Sequence, residues 1–379
     1  MKRYFAILLV LALVLSFSAF ACADEAAPFS AEEVAAMIND DTLSLDLISM
    51  SDLYSKTTAV TVNGKPASPA LVNYSYVTQY YTFANNYGSL ASYLGLNTAA
   101  GVFGLSGQSC GLTQDDSTWQ DYFLNSAVDS LATNAALIKY AEENGIELTE
   151  EEIADVDASF DVLPETAASA GFDSVEDFLE SFYGTGCTLD LLRETTLDYS
   201  LATKAYKTIS DGIVISDDDV REQNPVVSVR HILVKAEADE NGEYTDKAKD
   251  AAKKKAEKIL NQWLDGEQTE DRFAEMANGY SEDAGSNTNG GLYDSVTKGQ
   301  MVEEFDAFCF DPSRQSGDTG IVYGESASYA GYHVMYFVGE NLEAGRTTLK
   351  NKTMSDTVNE MTDAVEVTYG PFFTLCGQF

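Results

Sequence analysis

Residues 226–234 read Val226-Val227-Ser228-Val229-Arg230-His231-Ile232-Leu233-Val234. Valine and isoleucine dominate, and β-branched side chains favour a pleated strand. The chain changes character here. Downstream, Asn241-Gly242 marks a turn, and a helix is expected from about Thr245 to Asp265. Its apolar stripe is Ala248, Ala252, Ala256, Ile259, Leu260, Trp263 and Leu264, and Gly266 ends it. Phe273, Met276 and Ala277 predict a short second helix. Residues 281–291, SEDAGSNTNGG, predict a glycine-rich loop. Leu292–Val296 predicts a short strand, Val302–Phe310 a third helix, and Gly331–Val338 another strong strand. The order β-α-α-β-α-β-β over 226–340 makes one domain of ordinary size.

Working back toward the N-terminus, the signals are helical. Ala59–Gly64 predicts a short strand and turn, then Ser68-Pro69 supplies an N-cap and a first-turn proline. Tyr76, Tyr80, Phe83 and Tyr87 follow at helical spacing, the pattern of a helix packing its own core. Residues 88–117, rich in Gly, Ser, Thr and Asn, predict a loop, and 118–143 a helix ended by Asn144-Gly145. Thr149-Glu150-Glu151-Glu152 is a capping box. Helices fit 174–183 and about 188–208, and Ser216-Asp217-Asp218-Asp219 opens one more, cut short by Pro225. Residues 59–224 thus form a mainly helical domain with no catalytic motif. After the closing strand, a helix at about Thr347–Asp363 and a strand at Val365–Tyr369 are expected. Their apolar positions, among them Leu349, Met354 and Val358, need a partner, so 341–379 is expected to return to the helical domain.

The chain has 379 residues, a formal net charge of −38 and 45% apolar residues. That charge argues against sequence-independent nucleic-acid binding, which needs cationic groups. It also argues against docking on anionic lipid through a basic patch. The apolar content excludes whole-chain disorder. Residues 1–23, MKRYFAILLVLALVLSFSAFACA, have a charged start, an apolar run from Phe5 to Val14 and small residues after it, the pattern of an export signal. Ala19-Phe20-Ala21 and Ala21-Cys22-Ala23 both fit a signal peptidase site. Ser18-Ala19-Phe20-Ala21-Cys22 also resembles a bacterial lipobox with Ala19 in place of the usual leucine, which would make Cys22 a lipid anchor. The product is either a lipoprotein on the outer face of the membrane or a secreted protein, with 24–58 as an acidic tether. Cys110, Cys187, Cys309 and Cys376 have no metal-ligand spacing. They allow three complete disulfide pairings or four reduced, buried thiols.

Only two histidines occur, His231 and His333, and both fall within 226–340. Their concentration in one small domain points to a shared site. With Asp283 they form no zinc-ligand spacing, and no nucleophile elbow supports a Ser-His-Asp hydrolase. Five segments resemble parvulin-type peptidyl-prolyl isomerases: Val229–Val234; Phe273–Ala277 with Tyr280–Asp283; Gly290-Gly291-Leu292; Lys298–Phe305; and Gly331–Val334. The whole layout is similar to exported foldases of the PrsA and SurA types.

The resemblance implies an α+β fold, a four-stranded sheet with surrounding helices, inserted in a mainly helical chaperone domain. It implies paired histidines His231 and His333, with Asp283 at a position that carries aspartate or cysteine, and Ser328 as a site hydroxyl. Leu292, Met301 and Phe305 would line the prolyl pocket. Family members often read G-G-D-L-G where this chain has Gly290-Gly291-Leu292-Tyr293, a departure in loop geometry. The implied activity is peptidyl-prolyl cis-trans isomerisation assisting the folding of exported proteins, with no metal or other cofactor. Partners would be unfolded or partly folded X-Pro polypeptides; a homodimer stays open. The alternative is a non-catalytic holdase with a degenerate parvulin domain. Residues 226–340 hold 11 basic and 22 acidic side chains, so a phosphorylated residue before proline would be repelled.

Overall fold

The computed structural model describes residues 49–378 apart from Ala327. The expected export signal 1–23 with Cys22, and the expected tether as far as residue 48, lie outside the described residues. Two compact units are present: one of residues up to Asp211 together with Asp356–Phe379, the other Gly212–Ser355. The second is therefore inserted in the first along the chain.

The first unit contains α1 (Met50–Lys56), β1 (Val60–Val62), β2 (Lys65–Ala67), α2 (Pro69–Tyr87), α3 (Leu90–Tyr93) and α4 (Trp119–Glu143). It continues with α5 (Glu150–Ser159), α6 (Leu163–Ala170), α7 (Val175–Tyr183) and most of α8 (Leu189–Gly212). Most of its helices start where side chains take orphan N–H groups of the first turn, α3 and α6 being the exceptions. Ser68 accepts from Leu71 N at 3.2 Å, and Thr118 and Thr149 form capping boxes with Asp121 and Glu152. Tyr76, Tyr80 and Phe83 are buried with Trp119 and Phe123, while Tyr87 is exposed. Part of the presumed tether is core: on α1, Leu53 and Tyr54 are buried against Ala70 and Leu375. Cys110, Cys187, Cys309 and Cys376 are free thiols, all buried.

The second unit runs α9 (Asp217–Gln223), β3 (Val226–Lys235), α10 (Asp246–Leu264), α11 (Glu270–Tyr280), β4 (Leu292–Thr297), α12 (Glu303–Cys309), β5 (Thr319–Ser326), β6 (Tyr329–Glu340) and the first part of α13 (Leu342–Asp363). The order matches the sequence expectation. The four strands form an antiparallel sheet in the order β4-β3-β6-β5. Alternation along the strands sorts its two faces. Ile232, Val234, Val334 and Tyr336 pack with Ala252, Ile259 and Trp263 of α10 and Phe273 and Met276 of α11. Val227, Val229, Met335 and Phe337 pack on the other side with Phe305, Phe308 and Cys309 of α12. Lys253, Lys254 and Lys255 are exposed on the outer side of α10.

The unit is wider than 226–340. Arg221 pairs with Glu340 at 3.1 Å, Arg346 Nε donates to the Ile215 carbonyl at 3.3 Å, and Asn341 N donates to the Val226 carbonyl at 2.8 Å. A Cβ on Gly345 would stand 2.4 Å from Val220 Cγ1, so glycine is what lets α13 approach α9 this closely. The division therefore falls inside α13, between Ser355 and Asp356, rather than after residue 340. The chain returns to the helical unit only from Asp356 onward, with the remainder of α13, β7 (Val367–Tyr369), which pairs with β1, and the segment carrying Leu375 and Cys376.

Candidate functional site

His231 and His333 occupy the α12 face of the sheet, as the alternation of β3 and β6 dictates. His231 pairs with Met335 and His333 with Leu233, so the two imidazoles are diagonal neighbours. Their rings stack at 5.1 Å and 20°, with Nδ1 to Nδ1 at 2.9 Å. His231 and His333 are 3% and 4% exposed, so each ring nitrogen needs a partner inside the protein. His231 Nε2 reaches Asp283 Oδ2 at 3.1 Å and Ser286 Oγ at 3.2 Å, and His333 Nε2 reaches the Tyr329 hydroxyl at 3.0 Å.

Asp283 Oδ2 collects three donors: His231 Nε2, Ser286 Oγ at 2.5 Å and Tyr293 Oη at 3.0 Å. The bond from His231 above all, with help from Ser286 and Tyr293, holds its carboxyl well below the usual carboxylate range. Burial and the neighbouring His231 push His333 down to about 3. Burial, then the Asp283 charge, pushes the Tyr293 phenol up to about 12, so it keeps its proton and donates.

These contacts restrict the proton positions. With both imidazoles neutral, His231 Nε2–H donates to Asp283, His333 Nδ1–H donates to His231 Nδ1, and the Tyr329 hydroxyl donates to His333 Nε2. A proton added at His231 reverses the middle of the chain: His231 Nδ1–H then donates to His333, and His333 Nε2–H to Tyr329. In either state every nitrogen is satisfied.

The apolar wall stands beside this network. The ring of Phe305, 2% exposed, meets His231 at 5.5 Å and His333 at 5.3 Å, edge-on to both. Met301 and Tyr293 pack on the same cluster, and the Tyr293 ring lies 5.1 Å from that of His231. The turn into β4 depends on Gly291, with φ +68°. Its carbonyl accepts from His231 N at 2.9 Å, and a Cβ there would stand 2.2 Å from the His231 carbonyl oxygen. The glycine thus sets the start of β4 tight against His231.

The structure brings together His231, His333, Asp283, Met301 and Phe305. It separates Leu292 and Ser328 from them. Leu292 pairs with Arg230, whose side chain bonds Glu270 of α11, so Leu292 is directed to the α11 face while Tyr293 packs on the Phe305 cluster beside the histidines. Ser328 is exposed at the β5–β6 turn, where its hydroxyl meets Ser326 at 3.1 Å; the hydroxyl on His333 is that of Tyr329. Tyr293, Tyr329 and Ser286 are the site residues that sequence reasoning missed. A signal for one existed: an ungapped match to G-G-D-L-G puts Leu292 in the aspartate's place and Tyr293 in the leucine's.

Residues 217–340 match the family model described as the PPIC-type PPIase domain. This segment is a parvulin-type domain. Curated relatives that the chain resembles include foldase protein PrsA 1 of Listeria innocua, 31% identical over 170 residues, covering 43% of this chain and 49% of that one. Foldase protein PrsA 3 of Bacillus cereus is 31% identical over 159 residues, covering 41% and 47%. The chain spans about half the length of the curated relatives it matches. A crystal structure of the peptidylprolyl isomerase PrsA from Bacillus cereus aligns over 66% of this chain and 88% of its own at 21% identity. The TM-score of 0.29 is too low to add to the fold assignment. The parvulin-type domain therefore rests on the match over 217–340 and on its own four-stranded sheet.

Proposed function

We propose that the chain is an extracytoplasmic peptidyl-prolyl cis-trans isomerase assisting the folding of exported proteins, with X-Pro segments of unfolded or partly folded chains as substrate. The observation that carries this reading is the buried His231–His333 pair, tied to an ionised Asp283 beside Phe305 and Met301. The foldase relatives and the export signal at 1–23 support the cellular setting, with Cys22 as the anchor if the lipobox is used.

The chemistry asks for no bond to be broken. A peptide bond resists rotation by about 18–20 kcal/mol because resonance moves negative charge to oxygen and gives the C–N bond double character. Unaided, X-Pro bonds isomerise over tens to hundreds of seconds. In the twisted amide the oxygen loses part of its negative charge. A fixed carboxylate facing that oxygen therefore disfavours both planar forms relative to the twisted one, which is the differential binding that catalysis requires. Asp283 suits this role because its surroundings keep it ionised. Phe305 and Met301 grip the ring, and the histidine pair anchors the carboxylate through His231.

The test is the refolding of a client whose slow phase is limited by proline isomerisation, in the presence of the full chain. Acceleration that Asp283→Asn reduces supports the isomerase. Binding of the unfolded client without acceleration supports the holdase instead. Exposed Tyr87, Leu90 and Tyr93 on the helical unit favour that second reading.

A further inference from the structure

Tyr293 touches both halves of the site. Its ring packs on the apolar cluster of Phe305 and Met301, and its hydroxyl donates to Asp283 Oδ2 at 3.0 Å. Its position is fixed by the turn into β4: two residues earlier, the Gly291 carbonyl accepts from His231 N. We propose that Tyr293 is a positioning residue for Asp283: its hydroxyl aims the carboxylate into the prolyl pocket whose wall its own ring forms.

The argument is geometric. Asp283 sits on a loop, and its side chain keeps 20% of its surface in contact with solvent. His231 and Ser286 hold the carboxylate from the buried side, since both are almost fully enclosed. Tyr293 is half-buried and approaches from the pocket wall. Removing its hydroxyl leaves the carboxylate anchored at its base, with the pocket-side bond open to water. A carboxylate turned toward solvent is hydrated and acts less on an amide oxygen in the pocket. A leucine at this position supplies apolar contact but no donor. The chain has thus joined two tasks, ring contact and charge placement, in one side chain. This inference rests on the isomerase reading for its kinetic consequence, but not for the contact itself.

The experiment compares the full wild-type chain with Tyr293→Phe and Tyr293→Leu. The first readout is isomerisation of an X-Pro tetrapeptide, separated into kcat and KM. Tyr293→Phe is expected to lower kcat about tenfold with KM within about twofold of wild type, because the ring stays; Tyr293→Leu is expected to raise KM as well. A residue that only packs would give a Phe variant with wild-type kcat, and that result overturns the proposal. The second readout needs no activity: the carboxyl titration of Asp283, followed by ¹³C NMR and assigned with Asp283→Asn. An upward shift in Tyr293→Phe is expected. An unchanged titration also overturns the proposal. If the wild-type chain is inactive on every X-Pro peptide, the isomerase reading fails, while the Asp283 titration still decides whether Tyr293 holds the carboxylate.

Discussion

His231 and His333 lie diagonally across β3 and β6, two residues out of register, and meet Nδ1 to Nδ1 at 2.9 Å. Because both are buried, each is the other's only route to satisfying that nitrogen. His231→Ala or His333→Ala therefore strands a buried polar group, at a cost of about 1–3 kcal/mol. Urea unfolding of each variant should show that loss, together with a slower isomerisation rate. A fully stable His231→Ala protein with an unchanged rate would sink the role assigned to the pair.

Stability should depend on acid in a stated direction. His333 has a folded pKa of about 3, below the ordinary value of 6.5, so between these values the unfolded chain binds the extra proton. Its contribution is fully present above about pH 6.5 and is lost as pH falls toward 3. The loss between pH 7 and pH 4 is on the order of 3 kcal/mol. Asp283 adds a loss of the same sign at still lower pH, since its pKa is also depressed. Denaturant titrations at pH 7 and pH 4 should show the drop, and His333→Asn should flatten it. An equal drop in that variant would assign the acid sensitivity elsewhere.

Tyr329→Phe and Ser328→Ala separate two neighbours. The first removes the hydroxyl on His333 Nε2 and should cost about 1 kcal/mol and slow the reaction. The second alters an exposed turn and should change stability by less than about 0.5 kcal/mol, with no effect on rate. Melting curves and rates on both variants decide it; the reverse order would restore Ser328 to the site.

The two apolar residues should behave differently. Phe305 is core as well as wall, so Phe305→Ala is expected to cost about 3–5 kcal/mol of stability. Met301 is half-buried. Met301→Ala should leave the fold intact and raise KM about tenfold, as about 1.4 kcal/mol of lost apolar contact implies. Steady-state kinetics of Met301→Ala beside a melting curve of Phe305→Ala is the check.

Fragment boundaries offer another test. Residues 212–355 include the contacts of Arg221 with Glu340 and of Gly345 with Val220, which 226–340 lacks. The longer fragment should melt cooperatively and at higher temperature than the shorter. Equal melting temperatures would show that α9 and the start of α13 add nothing to the sheet unit.

Much of this was legible in the chain itself. The β-branched run at 226–234, the stripe of α10 and the caps at Thr149 and Ser216 each express a local preference that tertiary contacts did not override. Of the residues that the structure clusters around the histidine pair, His231, His333, Asp283, Met301 and Phe305 were legible. The two misplaced residues are both one-residue slips, Leu292 for Tyr293 and Ser328 for Tyr329. In a strand one residue is the difference between opposite faces, and register is set by partners distant in sequence. Here the partners are Val229 opposite Tyr293 and Ser326 opposite Tyr329. The boundary inside α13 was hidden for a related reason: a continuous helix gives no composition break where its packing partner changes.

The central claim is that a buried histidine pair and an ionised Asp283 lower the barrier to X-Pro rotation. The most direct measurement is the cis-trans exchange rate of an X-Pro tetrapeptide, with the full wild-type chain and with Asp283→Asn at the same substoichiometric concentration. The account predicts exchange well above the uncatalysed rate for the wild type, and a loss of at least tenfold in the variant at a temperature where it is folded, its melting temperature being lowered by loss of the charge that accepts from His231, Ser286 and Tyr293. Exchange at the uncatalysed rate with a folded wild-type protein, or undiminished catalysis by a folded Asp283→Asn, would contradict it.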